Sequence, residues 1–488
     1  MIIAKLLNKN KGPLVMKRIL CSIFKVFLFL EFIFFNISLA FGIISPPQGV
    51  FISSVLLRHS NITSTVFWVG EEASSENGNI SNVQSAWDEN WLENYGGVDD
   101  PNDRDGYFPK KFWPKENPFY VALPFNDLNE YGIRKKRAIF IPWFSKYKNL
   151  SVYESILKDR WVKIIKNDKV AYAQWEDVGP FGEDDYQYVF GTSLPENEAN
   201  NQAGIDVSPA VRDFLALKDI DKVDWEFVEF EDVPPGPWLA VITNRYWHWF
   251  HPRPDSTFYW QLQGEINIQR PEEIFDIDLF DSDESLISHL KETGHKVICY
   301  FSAGSAEKWR DDFTLFSEKE LGNVMNDWPD ERWLDIRSEN VKRVMEQRIR
   351  LAAQKGCDGI EPDNIDGYQN DTGFDLSYSD QLEYNKFLAK TAHYYGLSVA
   401  LKNDLAQAKD LVRYFDFLLL ENCFKYDECE LSLPFIKSLK PVFDVEYIEE
   451  SPEINRNFQE FCKRAKSLGI NLLIMNLDLD GTFIRACP

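Results

Sequence analysis

The chain has 488 residues, 44% of them hydrophobic and 15% aromatic, which is enough for a large core and two or three domains. Its 77 acidic side chains outnumber 53 basic ones, giving a formal net charge of −24. This charge argues against nucleic acid and anionic membranes as partners and favours cationic ones, although it can also serve solubility alone.

The N-terminus has the pattern of a secretory signal peptide. A basic pair precedes an apolar run at 19–35, and the small residues at 38–40 form an A-x-A-like cleavage site. We therefore predict that residues 1–40 are a signal peptide. The mature protein is expected to be secreted or periplasmic, monomeric, and not stably inserted in a membrane.

Cysteine usage agrees with export. Of the seven cysteines, Cys21 lies in the predicted signal peptide and the other six lie in the C-terminal half, an even number that suits an oxidising compartment. Cys423 and Cys429 are close enough to close a local loop, and Cys462 can pair with Cys487. The full connectivity is left open by the sequence.

Two segments precede the C-terminal half. Residues 41–118 are polar, and we predict an irregular or partly ordered chain there. From 119 to 236, short apolar runs alternate with turns, which predicts a small β-rich domain. Within it, Ser208 followed by Pro209 is typical of the start of a helix.

The β-rich part weakly resembles the double-psi β-barrel of rare lipoprotein A-like proteins. The matching residues are Leu123-Pro124-Phe125, 176-EDVGPF-181 and 204-GIDVSPAVRDFLAL-217. Some members of that family cut glycans or bind cell-wall polymers, and Asp177 and Asp206 fall at its acidic positions. Asp206 can equally serve a turn before the helix.

Residues 237–488 predict an α/β fold. Helix-period segments separate several of eight apolar runs, a pattern typical of a parallel sheet covered by helices. The number of runs favours a (β/α)₈ TIM barrel. The runs are 258–262, 275–280, 296–301, 357–362, 398–403, 415–421, 441–447 and 471–477.

Carboxylates stand at the ends of most of these runs, where a TIM barrel carries its catalytic groups. Converging carboxylates suit glycoside hydrolysis, and they also suit hydrolysis assisted by Mg²⁺ or Ca²⁺. The six histidines lie at none of the strand ends, which argues against a transition-metal site. We predict no metal and no cofactor, with a hard cation left open.

Aromatic side chains at the strand ends can stack on sugar rings or simply pack in the core. Those singled out as substrate-binding candidates are Trp260, Tyr300, Tyr368 and Tyr447. Lys402 ends the fifth run among carboxylates, where it either binds substrate or neutralises a neighbouring carboxylate.

The C-terminal half resembles glycoside hydrolase family 114, the endo-α-1,4-polygalactosaminidase family, in both order and spacing of motifs. The matching pieces include 260-WQLQG-264, 276-DIDLFD-281, 297-VICYFSAGSAEKWR-310, 356-GCDGIEPDNIDGY-368, 397-LSVALKND-404 and 421-ENCFKYDEC-429. The resemblance implies a (β/α)₈ fold and endo-hydrolysis of α-1,4-linked galactosamine polymers. One departure is Leu420, where relatives often carry asparagine.

The resemblance also implies that Asp363 and Glu421 are the catalytic carboxylates. We predict Asp363 as nucleophile or base and Glu421 as the acid, one of the two being kept protonated. The separation that decides between retention and inversion is left open. The remaining carboxylates predicted to bind substrate are Asp278, Glu361, Asp366 and Glu446.

Two other functions stay possible on the sequence. One is a non-catalytic glycan-binding protein, which would need aromatic side chains but no opposed carboxylate pair. The other is a cell-wall glycan enzyme acting through the N-terminal β domain. The preferred partner is a cationic, galactosamine-rich polysaccharide, which a carboxylate-rich cleft would attract.

Overall fold

The structure, a computed structural model, describes residues 57–75, 77–326 and 328–487. The predicted signal peptide at 1–40 lies outside the described residues. Among the residues described, no helix combines the length and apolar character needed to cross a bilayer.

The first part of the described chain is a closed six-stranded barrel in the order β1-β5-β2-β4-β3-β6. Two of its pairs, β1 with β5 and β2 with β4, are parallel, and the other pairs are antiparallel. The strands are β1 His59–Val66, β2 Tyr120–Leu123, β3 Arg160–Lys166, β4 Lys169–Val178, β5 Ala203–Val207 and β6 Asp221–Phe227.

The predicted helix start at Ser208-Pro209 is confirmed. Helix α1, Pro209–Leu215, begins directly after β5, and the Ser208 side chain accepts a hydrogen bond from the Val211 amide. This cap satisfies one of the amide groups that a helix leaves free at its first turn.

Strand β1 lies inside 41–118, so the prediction of an irregular chain was wrong at this strand. Its run of threonine and serine looks like a polar loop, but Thr63, Ser64 and Thr65 are buried. The Thr63 hydroxyl donates to the carbonyl of Asn201 at 2.6 Å, which shows how a polar side chain can be buried with its hydrogen bond satisfied.

The second part of the chain confirms the α/β prediction and has a TIM-barrel-like arrangement. Eight parallel strands, β7 to β14, pair in chain order, and a last strand, β15, pairs antiparallel with β14. The strands are β7 Phe258–Gln261, β8 Ile274–Asp278, β9 Lys296–Ser302, β10 Gly359–Asp363, β11 Ser398–Lys402, β12 Phe417–Glu421, β13 Val442–Tyr447, β14 Asn471–Met475 and β15 Ile484–Ala486.

The first and last parallel strands are joined by hydrogen bonds at or just past their ends, including one from the Gln261 side chain to the carbonyl of Asp480 at 3.2 Å. The amides of Leu262 and Gln263, just past β7, donate to the carbonyl of Leu479, just past β14, at 2.9 and 3.3 Å. Inside, the rings of Phe258 on β7 and Phe443 on β13 stack with centroids 4.6 Å apart. Apolar side chains from nearly every strand therefore share one core.

Helices follow most of these strands. They are α2 Glu284–Glu292, α3 Glu339–Lys355, α4 Tyr378–Tyr394, α5 Ala408–Leu411, α6 Leu433–Lys437 and α7 Phe458–Leu468. Shorter helices span Trp91–Tyr95, Phe144–Tyr147, Tyr186–Val189 and Pro452–Arg456. A three-stranded sheet of Ser305–Glu307, Leu321–Val324 and Glu331–Leu334 lies between β9 and α3, and Arg104–Asp105 pairs with Phe108–Pro109.

Three disulfides join the six cysteines of the C-terminal half. Cys423 pairs with Cys429 and Cys462 with Cys487, as predicted, and Cys299 on β9 pairs with Cys357 just before β10. The described part of the chain from residue 57 onward forms one compact unit, so the predicted domain boundary at 236 stays a prediction.

Candidate active site

The candidate site is built by the alternation of side chains along parallel strands. Residues two apart on a strand share a face, so Glu361 and Asp363 on β10 point the same way. The register between β9 and β10 sets Tyr300 beside Glu361 and Ser302 beside Asp363. Because the strands are parallel, their last residues meet at one end of the sheet.

Lys402 is the centre of this cluster. Its ammonium lies 2.9 Å from Glu361 Oε1, 3.2 Å from Asp363 Oδ1 and 3.3 Å from Glu421 Oε2. Its side chain is only 2% exposed. Burial alone would lower the pKa of Lys402, but the charges of these three carboxylates raise it well above its usual value.

Asp363 accepts hydrogen bonds at both its side-chain carboxylate and its backbone carbonyl. The Tyr300 hydroxyl donates to Oδ2 at 3.1 Å, and the Asn364 amide donates to Oδ1 at 2.7 Å. The amides of Ala303 and Gly304 both donate to its backbone carbonyl. Burial and the charge of Asp363 raise the pKa of Tyr300 well above its usual value, so this hydroxyl stays a donor.

Glu421 has a comparable set of donors. The Tyr447 hydroxyl donates to Oε1, and the Asn403 side-chain amide donates to Oε2 at 3.2 Å. The Glu421 backbone amide donates in return to Asn403 Oδ1 at 3.0 Å, which ties the ends of β11 and β12 together. The Glu421 side chain is 27% exposed and that of Asp363 18%, so both reach solvent at the mouth.

A buried floor lies below these groups. The Trp260 ring, 1% exposed, lies 4.7 Å from the Lys402 ammonium, close enough for a cation–π contact. Asp276 is fully buried and interacts electrostatically with Glu361. Burial and the charge of Glu361 raise the pKa of Asp276 well above its usual value, and burial raises that of Glu361 to about 7 against the opposing charge of Lys402.

A second acidic group stands beside the mouth. Burial and the charge of Asp363 raise the pKa of Asp366 to about 6. Burial and the charge of Asp366 raise that of Asp404 to about 8. The Asp404 side chain accepts a hydrogen bond from the Asn385 side chain at 2.9 Å.

Two of the predicted substrate-binding carboxylates are engaged elsewhere. Asp278 forms an ion pair with Arg310 and accepts the amides of Phe280 and Asp281. Glu446 is fully buried and accepts the backbone amides of residues 424 and 425 at 2.7 and 3.1 Å. The structure therefore gives these two carboxylates the role of holding loops.

Sequence reasoning missed a set of asparagines. Asn364, Asn403 and Asn422 each follow the last residue of a barrel strand, and their φ values are 60°, 50° and 61°. Asparagine adopts this left-handed conformation more readily than most residues, so each strand can turn sharply at its active-site residue. The signal was in the sequence as Asp-Asn, Lys-Asn and Glu-Asn pairs at three strand ends.

In the six-stranded barrel, Asp177 and Asp206 lie on opposite sides of Ala122. Asp177 accepts the Ala86 amide at 2.7 Å, and Asp206 accepts the Thr65 hydroxyl. Burial raises the pKa of each to about 7. Both side chains hold neighbouring chain segments, and the double-psi resemblance stays a prediction.

Comparison with known proteins gives the family. The model of glycoside-hydrolase family GH114 matches residues 240–487, half of the chain. Ega3 of Aspergillus fumigatus, solved in complex with galactosamine, is 35% identical, with 50% of this chain and 100% of Ega3 covered and a TM-score of 0.47. The glycoside hydrolase domain of PelA from Pseudomonas aeruginosa is 14% identical, with 46% of this chain and 96% of that domain covered and a TM-score of 0.37.

The comparison with curated proteins found no match. The family match covers all the strands that carry the Lys402 cluster, from β7 to β14. The chain therefore belongs to glycoside hydrolase family GH114 and is a glycoside hydrolase.

Proposed function

We propose that the protein is a secreted, endo-acting hydrolase of α-1,4-linked galactosamine polymers, with Asp363 and Glu421 as its catalytic pair on a (β/α)₈ barrel. The observation that carries the proposal is the approach of both carboxylates to one ammonium at 3.2 and 3.3 Å. A glycan-binding protein without catalysis would have no need of two opposed carboxylates at this distance.

The separation of the pair supports a retaining mechanism. Since both oxygens contact Lys402 Nζ, Asp363 Oδ1 and Glu421 Oε2 are at most about 6.5 Å apart. Retaining enzymes keep their carboxyl groups roughly 5–5.5 Å apart, and inverting enzymes roughly 6.5–9.5 Å. The upper limit of this oxygen separation coincides with the lower limit for inverting enzymes, which places the pair nearer to the retaining range.

The chemistry then has two steps. Asp363 attacks the anomeric carbon while Glu421 gives its proton to the leaving oxygen, which breaks the glycosidic bond and forms a glycosyl ester on Asp363. Glu421, now a carboxylate, takes a proton from water. This proton transfer restores the acid form of Glu421, and the resulting hydroxide attacks the anomeric carbon, breaks the ester bond and frees the Asp363 carboxylate. Glu421 is the more exposed of the two, which suits the group that must meet water.

The charge of the site supports a cationic substrate. A galactosamine residue without its acetyl group carries an ammonium near neutral pH. Asp366, with a pKa of about 6, is mostly ionised at pH 7 and stands beside Asp363. It can accept a charge-assisted hydrogen bond from that ammonium, and the net charge of −24 attracts the polymer over longer distances.

The proposal is tested with a galactosamine-rich exopolysaccharide by counting new reducing ends. Asp363→Asn and Glu421→Gln are each expected to lose about 10³-fold in rate, since each removes a group that moves electrons or a proton in the transition state. NMR of the earliest product should show the α anomer. Asp410→Asn, an exposed change on α5, serves as the matched control.

Wild-type rates in both Asp363→Asn and Glu421→Gln would contradict the assignment of the pair. Early β anomer would contradict retention while leaving the pair intact. A folded wild-type protein that releases no reducing ends from any galactosamine polymer would contradict the proposed activity itself.

A further inference from the structure

Lys402 poses an electrostatic problem for the proposed chemistry. Its ammonium lies 3.3 Å from Glu421 Oε2, and a cation at this distance favours the ionised carboxylate. Glu421 also accepts hydrogen bonds from Tyr447 and Asn403, which act in the same direction. A general acid, however, must keep its proton until the leaving oxygen takes it.

The opposite side of Lys402 carries a compensating charge. Glu361 Oε1 lies 2.9 Å from the ammonium, the shortest of the three ion-pair distances. Glu361 is fully buried, so little solvent screens this attraction. The charge of the ammonium is therefore shared between a buried partner below and two partly exposed carboxylates above.

Asp276 explains how Glu361 is held. Within the part of the chain that the structure describes, neither Asp276 oxygen nor Glu361 Oε2 receives a hydrogen bond from a conventional donor. The two buried carboxyl groups interact with each other, and since two carboxylates can only accept hydrogen bonds, a proton shared between them would satisfy both. Asp276 has no cation beside it, whereas Glu361 has Lys402, which assigns the proton to Asp276.

We propose that Glu361 and Asp276 are positioning residues for the proposed hydrolysis. Glu361 balances the charge of Lys402 so that Glu421 can hold its proton, and Asp276, as the neutral acid, donates the hydrogen bond that fixes Glu361. This inference rests on the proposed function of Asp363 and Glu421 and assigns no contact with substrate to either residue.

Several titratable groups on the surrounding strands face Glu361 and Lys402, and their charges also affect the pH profile. Tyr300 and Tyr447 keep their protons, because burial and the nearby carboxylates raise both pKa values well above the usual range. They therefore contribute no charge between pH 4 and 9. The charged or titrating members are Asp276, Glu361, Asp363, Lys402 and Glu421 on four strands, together with Asp366 beside Asp363.

The experiment is a pH profile of kcat and kcat/KM for wild type, Glu361→Gln, Asp276→Asn and Asp276→Leu. Removing the charge of Glu361 leaves the full Lys402 charge on Glu421. The alkaline limb of the profile, where the general acid loses its proton, should therefore shift to lower pH by about one unit or more in Glu361→Gln. Asp276→Leu removes the hydrogen bond to Glu361 and favours its protonation, so it should move the limb in the same direction.

Asp276→Asn distinguishes this role from packing alone. Its amide can still donate to Glu361, so its limb should lie nearer to wild type than that of Asp276→Leu. Glu176→Gln is the matched control: this buried carboxyl on β4 has a pKa raised well above its usual value by burial but lies in the six-stranded barrel. It should leave both limbs in place.

A lower kcat in Glu361→Gln with both limbs unmoved would overturn the proposal, since a structural role alone predicts that result. So would an upward shift of the alkaline limb. If Asp276→Leu does not fold, Glu361→Gln against wild type still decides the question. Failure of the proposed function is seen separately, as wild-type activity in Asp363→Asn and Glu421→Gln.

Discussion

Gly304 shows how one residue keeps the end of β10 in place. A Cβ at this position would lie 1.6 Å from the backbone carbonyl oxygen of Asn364, a distance that no real contact allows. The Gly304 amide also donates to the carbonyl of Asp363 at 3.0 Å. The loop after β9 thus packs directly on the turn that carries the proposed nucleophile.

We expect Gly304→Ala to lower the free energy of unfolding by about 1–3 kcal/mol, because backbone must move to admit the methyl group. Activity should fall further than stability, since the displaced atoms belong to Asn364 beside Asp363. Gly182→Ala is the matched control, because its Cβ would meet Pro124 at an ordinary 3.9 Å. Urea denaturation and the reducing-end assay measure the two effects; equal stability of both variants would contradict the expectation.

At the scale of elements, the disulfides divide into a long-range and a local type. Cys299–Cys357 joins β9 to the start of β10 across 58 residues of sequence. Cys423–Cys429 closes a loop only 6 residues apart, directly after Glu421. The chain-entropy effect of a cross-link grows with the length of the loop that it closes.

Replacing Cys299 and Cys357 by serine should therefore cost about 4 kcal/mol of unfolding free energy, against about 2 kcal/mol for the Cys423–Cys429 pair. The second pair should affect activity more, since it holds the segment whose amides bind Glu446. Denaturant unfolding of each double variant shows which disulfide contributes more to stability, and activity assays of the same variants show which one affects activity more. A larger loss of stability from the local pair would contradict the loop-length argument.

The whole molecule contains many carboxyl groups that folding makes weaker acids. Their pKa values are raised chiefly by burial, to between about 6 and about 8, above those of an unfolded chain. The group comprises Glu116, Asp177, Asp206, Glu331, Glu361, Asp366, Asp404 and Glu446. Between pH 5 and 8 the folded state therefore binds more protons at these sites than the unfolded state does.

Stability should consequently fall as pH rises from about 5 to about 8, because each of these carboxyls must release a proton in the folded state. His59, His248 and His251 act in the opposite direction, since burial lowers their pKa values, but they are fewer. Urea unfolding at pH 5, 6.5 and 8 measures the trend. A midpoint that rises steadily with pH would contradict it.

Strand alternation explains how much of the site could be predicted from the sequence. Carboxylates and Lys402 at the ends of consecutive parallel strands had to converge, and Asp363, Glu421 and Lys402 do meet. Alternation also shows why some predicted site residues lie away from the Lys402 cluster. Glu446 and Tyr447 are neighbours on one strand, so they face opposite sides, and only Tyr447 reaches Glu421.

The depth at which a side chain lies in the barrel, and its partners far away in the sequence, could not be derived from strand alternation. Asp276 and Asp278 share a face of β8, and the register aligns Asp278 through Tyr300 with Glu361, yet it is Asp276 whose carboxyl interacts with Glu361. Asp278 instead forms an ion pair with Arg310, which lies 32 residues away in the sequence. No local sequence pattern predicts this partner. In the N-terminal half, β1 was missed because burial of its hydroxyls depends on partners such as Asn201.

The contacts of Lys402 carry an evolutionary consequence. One enclosed ammonium contacts an oxygen of each proposed catalytic carboxylate, so its position limits the distance between them. A descendant enzyme that switched stereochemical outcome would have to widen that gap. A wider separation of the proposed pair would then be expected to require a substitution at 402 as well.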